Sequence, residues 1–306
     1  LQARIWRKGD QIPWRIGLGD VISPAASSEL PDQASDPGNV MAFDLLSALR
    51  PQAWAAATWA YSKLRLGQVV RPGLRILAYH SIGTQIEEDA FGVFNMAPDR
   101  FQQQMRHLSS RYANQFMPLE LGALTRGAPG IMVTFDDGYR DNLSVAAPLL
   151  AELGIPFTVF VRTDAVSQCR AGFLGPDDVR ELAIMPGARI GSHSATHARL
   201  TDCDDLALAR ELSGSKAYLE DLLGIEIDLL AYPYGAVDRR VRDMAEKTGY
   251  RAGVTSRLDR NLPGRDPMLL SRVTIYAHDD IEIFEQKLQG KWDWYRWRHA
   301  DPSCGK

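Results

Sequence analysis

From Arg75 onward, short apolar runs rich in β-branched and aromatic residues alternate with stretches of helical periodicity, and this alternation restricts the possible fold more than any single motif. The strand-like runs are 76–79, 131–135, 157–161, 188–191, 227–231, 252–255 and 273–276; helical patterns fall near 99–112, 142–153, 177–184, 202–223, 237–248 and 280–289. Strand then helix, repeated, implies a parallel sheet or barrel covered by helices, so the expected class is α/β. Chemistry in such folds gathers in the loops after the carboxyl ends of the strands.

With 306 residues, 45% hydrophobic and 24% charged, the chain is long enough for one large domain with extensions. The expected division is an N-terminal extension over 1–72, a main α/β domain over 73–290 and a Trp-rich tail over 291–306. Residues 19–40 are rich in Pro, Ser, Gly and Asp without periodicity and read as disordered; 41–66 have helical composition interrupted at Pro51. The net charge is −3, with Lys and Arg spread along the chain, which argues against a nucleic-acid partner. Cys169, Cys203 and Cys304 lie far apart with no Cys-x-x-Cys pair, against both a zinc finger and a disulfide framework. No stretch reaches transmembrane length and the first thirty residues lack an export pattern. The expectation is a cytoplasmic or membrane-peripheral location, with a weak membrane-surface contact through 41–66 and its Trp54 and Trp59.

Four strand-like runs end in residues able to do chemistry: His80, Asp136-Asp137, His193 with His197, and Tyr232-Pro233-Tyr234-Gly235. Closing the strands into a barrel gathers all four at one mouth. The spacing of four between His193 and His197 puts both imidazoles on one face of a helical turn. With one carboxylate from Asp136-Asp137 they supply two nitrogens and an oxygen, leaving an open position as in a catalytic zinc-type site. A zincin needs Glu directly after the first His; Ser194 stands there, which excludes that reading.

Thr-Phe-Asp-Asp-Gly at 134–138, His-Ser-Ala-Thr-His at 193–197, Tyr-Pro-Tyr-Gly at 232–235 and Ile-Leu-Ala-Tyr-His-Ser-Ile at 76–82 together resemble the polysaccharide deacetylases, the NodB-homology or family-four carbohydrate esterases. The resemblance covers about 73–290 and implies a distorted (β/α) barrel with fewer than eight strands. It also implies metal-dependent removal of N-acetyl groups from amino sugars of a glycan, a hydrolysis of linear amides. Carried onto this chain, it makes Asp137, His193 and His197 the ligands of one divalent ion, zinc by default, with cobalt, nickel or manganese as alternatives. Asp136 is then the general base, and the backbone N–H of Tyr234 stabilises the oxyanion, with Tyr232 beside it at the substrate.

The general acid is left between His80, in a permuted order, and His278. Where the family carries Arg before the prolines of the third motif, this chain has Leu230-Ala231-Tyr232-Pro233, and Arg272 is the expected substitute beside Asp136. Tyr139, Phe173, Tyr232, Tyr234, Trp292, Trp294, Tyr295 and Trp297 are the aromatics available for stacking on sugars, the last four reading more simply as a packed tail. Two other functions fit the motifs: hydrolysis of a different amide, such as N-formyl on a lipid-linked sugar, or carbohydrate binding without turnover.

Overall fold

The computed structural model describes residues 73–298 apart from 86–88, 90 and 120–128. The expectations for 1–72, including Trp54 and Trp59, for Cys304, and for the side chain of Trp297 lie outside the described residues. Among those described, no helix is long and apolar enough to cross a membrane.

Seven strands form one sheet: β1 Leu74–Tyr79, β2 Gly130–Phe135, β3 Phe157–Val161, β4 Ala188–Ser192, β5 Leu229–Ala231, β6 Ala252–Val254 and β7 Val273–Thr274. All pairings are parallel, in the order β6-β5-β4-β3-β2-β1-β7. The sheet curls into an incomplete barrel, and the segment entering β7 lies along its open seam. Leu270 bridges Val254 of β6, and Val273 and Thr274 then pair with Leu77 and Ala78 of β1. The longer helices are α1 Pro98–Tyr112, α2 Ala147–Glu152, α3 Thr163–Ser167, α4 Pro176–Ala183, α5 Asp205–Ala209, α6 Ser215–Leu223, α7 Arg239–Thr248 and α8 Ile281–Leu288. The α5–α6 pair is one helical run broken by a turn of π-helix at Arg210–Gly214, and α2 is entered through another at Asn142–Ala146.

Strand side chains alternate between two buried faces. Leu74, Ile76, Met132, Phe160, Leu229, Ala231, Val254 and Leu270 fill the barrel interior. Leu77, Tyr79, Val133, Phe135, Val159, Leu230 and Val273 pack outward with the helices, where the Phe101 ring of α1 lies 5.3 Å from Tyr79 and 5.8 Å from Phe135. Gly191 lacks a side chain because the Phe160 ring occupies its space; a Cβ there would sit 2.5 Å from the ring. This alternation decides the site: His80 is in phase with Leu74 and Ile76, Asp136 with Met132, and Arg272 with Leu270, all on the interior face.

Beyond α8, the turn Asp293–Arg298 is fastened to the start of β1 by a buried bidentate pair. Arg75 Nη1 and Nη2 donate to the two Asp293 carboxylate oxygens at 2.7 and 3.0 Å. The tail thus packs on the barrel, with Trp292 Nε1 donating to Gln286. Arg75→Ala leaves Asp293 buried without its counter-charge and is expected to destabilise the fold by about 3–5 kcal/mol. Urea unfolding measures this, and an Arg75→Met/Asp293→Leu pair recovers most of the loss.

Candidate active site

Asp136 and Asp137 follow β2 and diverge. Asp136 keeps the interior direction, and its two oxygens accept from Arg272 Nη1 and Nη2 at 2.7 and 2.6 Å. Arg272 is fixed from behind: Nε donates to the Thr255 carbonyl at 2.9 Å and Nη1 also to Thr134 Oγ1 at 3.2 Å. Burial alone would raise the Asp136 carboxyl; the Arg272 guanidinium, His193 and His80 outweigh it and hold the group well below the usual carboxylate range. The Arg missing before Pro233 is thus replaced in space by one from the seam of the barrel.

Asp137 takes a left-handed backbone (φ 70°), which turns its carboxylate toward the β4 loop. Its Oδ1 lies 3.5 Å from His193 Nε2 and 3.4 Å from His197 Nε2. That oxygen is buried with no hydrogen-bond partner. One ligand atom from each of Asp137, His193 and His197 lies within 4.8 Å of the others. A buried unpartnered carboxylate oxygen facing two imidazole nitrogens is the donor set a divalent cation requires, so these residues fit the group.

The two histidines do not lie on a helical turn, contrary to the spacing argument. Residues 193–197 form an irregular loop in which Ser194 and His197 both have φ of 62°. Left-handed residues fold the loop back so that the rings meet at 4.9 Å, an approach the i, i+4 rule attributes to a helix. His193 Nδ1 lies 2.8 Å from the Ala231 carbonyl, which makes Nδ1–H the donor and leaves the Nε2 lone pair for a cation. Burial, reinforced by His193 and opposed by Asp137, lowers His197 to about 4, so its ring is neutral near pH 7.

His80 joins this group and His278 does not. Burial lowers His80, Asp136 and Asp137 oppose that shift, and Arg272 and His193 add to it, so its electrostatic neighbours are the site itself. Its ring lies 4.5 Å from Phe94, and its carbonyl accepts from Asn142 Nδ2 at 2.9 Å. His278 is half-exposed, stacked on Tyr276 at 5.6 Å, with Asp279, Lys287 and Arg100 as its charged neighbours.

Tyr232 is a correction. It belongs to the outward face with Leu230, is fully buried, and donates its hydroxyl to the Met268 carbonyl at 3.0 Å, so it reaches no substrate. Tyr139 and Phe173 are buried and stacked on each other at 5.0 Å. Tyr234 is exposed (54%), with its ring 4.6 Å from His197 and its backbone left-handed at φ 60°. Asn142 and Glu211, which buttress His80 and the 193–197 loop, had no signature in the sequence. Both sit in π-helical turns that read as ordinary helix.

The parallel α/β half-barrel thus gathers two imidazoles and a carboxylate at the carboxyl ends of its strands, where such folds place their chemistry. Residues 124–253 match the family model described as polysaccharide deacetylase. YxkH of Bacillus subtilis, named as a polysaccharide deacetylase, is 27% identical over 188 residues. That alignment covers 60% of this chain and 64% of YxkH, a little under two thirds of its length. The crystal structure of BC0361, a polysaccharide deacetylase from Bacillus cereus, is 26% identical with a TM-score of 0.62, covering 71% of this chain and 69% of that one. The Streptococcus pyogenes deacetylase PplD, solved with acetate, has the same fold at 23% identity and a TM-score of 0.63, covering 71% of this chain and 99% of that one.

Proposed function

We propose that this protein is a metal-dependent hydrolase that removes N-acetyl groups from amino-sugar residues of a glycan. The observation that carries the reading is the convergence of Asp137, His193 and His197 on one point beside an Asp136 held by Arg272. Asp137, His193 and His197 would hold one divalent ion, zinc first, which when bound supplies a Lewis acid that polarises the acetamide and acidifies water. Asp136 takes the proton from the attacking water; Arg272 keeps that carboxylate ionised and aimed. The backbone N–H of Tyr234 donates to the oxygen that gains charge. As the C–N bond breaks, His80 in its imidazolium form, which a lowered pKa makes a ready proton donor, gives its proton to the departing amine; acetate and the free amino sugar leave, and the proton held by Asp136 restores the imidazolium.

The assay is acetate release from peptidoglycan, chitin oligomers, poly-N-acetylglucosamine and lipid-linked N-acetyl sugars, with formate release from an N-formyl sugar as the parallel arm. Acetate from at least one glycan supports the reading; formate alone overturns it in favour of a deformylase. His80→Ala is expected to lower kcat about 10²-fold or more, and His278→Ala to leave it within about twofold, since of the two only His80 has Asp136, Asp137 and His193 as its electrostatic neighbours. The reverse pattern reassigns the acid to His278.

A further inference from the structure

We infer that Glu211 is the positioning residue for the cation site, setting how tightly the 193–197 loop grips its metal; the inference rests on the metal reading above. Glu211 touches neither the cation position nor the substrate. It lies in the π-helical turn Arg210–Gly214, where the widened turn displaces its side chain from the register of a continuous α-helix. Its buried carboxylate receives three donors from the loop. The N–H groups of Ala195 and Thr196 donate to Oε2 at 3.0 and 2.9 Å, and the Thr196 hydroxyl donates to Oε1 at 2.6 Å.

Those donors lie between the two imidazole-bearing residues. The loop has two non-glycine residues with left-handed backbone, Ser194 and His197, a conformation that persists only when its surroundings impose it. Further bonds hold the ends. Ser194 Oγ accepts from His197 N at 3.1 Å, Ser192 Oγ accepts from Ser194 N at 3.2 Å, and Asp164 N donates to the Ala195 carbonyl at 2.9 Å. Among the described residues, Glu211 is the only side chain that binds both central N–H groups. Without it, two part-buried donors lose their acceptor and His197 loses the constraint that keeps its Nε2 3.4 Å from Asp137.

The test is Zn²⁺ affinity by competition against a chromophoric chelator, with the visible spectrum of the Co²⁺-loaded protein as a second readout. Glu211→Ala is expected to weaken Zn²⁺ binding about 10–100-fold and to change the Co²⁺ bands. Glu211→Gln keeps an acceptor for the two N–H groups, and its amide can donate to the Thr196 hydroxyl. It therefore stays within about threefold of the parent. Thr196→Val removes one donor without touching the helix and gives an intermediate loss. A purely structural Glu211 lowers the Tm of the metal-free protein but leaves the affinity and Co²⁺ spectrum of the folded protein unchanged, which overturns the inference. If Glu211→Ala does not fold, an unchanged affinity in Thr196→Val overturns it instead. A parent protein that binds no cation overturns the metal reading together with this one; a parent that binds normally while Glu211→Ala matches it overturns this one alone.

Discussion

Asp136→Asn is expected to keep its cation at the parent stoichiometry and lose about 10²–10⁴-fold in kcat, the range that a positioned general base contributes. The asparagine side chain has the same shape, and the ligand set Asp137, His193 and His197 is untouched. What disappears is the group proposed to take the proton from water. Metal content by elemental analysis and kcat on one preparation separate the two effects: a variant that loses its metal along with its rate assigns Asp136 to the cation instead. Asp136→Asn also leaves the guanidinium of Arg272, itself 1% exposed, without a counter-charge. The variant must therefore be assayed well below its lowered Tm.

Arg272→Met is the second large effect, and it falls on stability and pH dependence together. The pair is buried on both sides, with side-chain exposures of 1% for Arg272 and 6% for Asp136, so removing one partner is expected to cost about 3–5 kcal/mol. The sign of the pH effect follows from the pKa direction. Asp136 is held below its unfolded value of about 3.9, so the pair contributes stability above that pH and loses it as pH falls through the folded pKa. With Arg272 gone, burial dominates and pushes the Asp136 carboxyl upward. The ionised base is then available only at higher pH, so the acidic limb of kcat/KM moves up. An acid limb that stays in place removes Arg272 from the tuning of the base.

The barrel was legible in the sequence because parallel strands are buried on both faces and appear as unbroken apolar runs, such as β3 with its Phe-Thr-Val-Phe-Val. Boundaries drifted where side chains intervene: 273–276 shortens to Val273–Thr274 because Tyr276 N is taken by the Asp279 carboxylate at 2.9 Å. The short α3 lacks the length to show a helical period in the sequence. Within the site, Thr-Phe-Asp-Asp-Gly and His-Ser-Ala-Thr-His are legible as motifs, while their geometry is not. A separation of four between His193 and His197 is met by a helix turn or by a loop with two left-handed residues, and spacing does not distinguish them. Tyr232 shares the outward phase of Leu230, so the alternation along β5 itself argues against the expected place at the substrate. Glu211 and Asn142 depend on contacts across the fold, from turns that have no sequence mark of their own.

The central claim is that Asp137, His193 and His197 hold a cation on which deacetylation depends. The most direct measurement is acetate release from an N-acetylglucosamine oligomer by protein stripped with chelator, before and after return of one equivalent of Zn²⁺, alongside Asp137→Ala treated the same way. The account predicts that turnover is abolished by stripping, returns with one equivalent in the parent, and does not return in Asp137→Ala. Turnover that survives chelation, or an active Asp137→Ala protein, would contradict it.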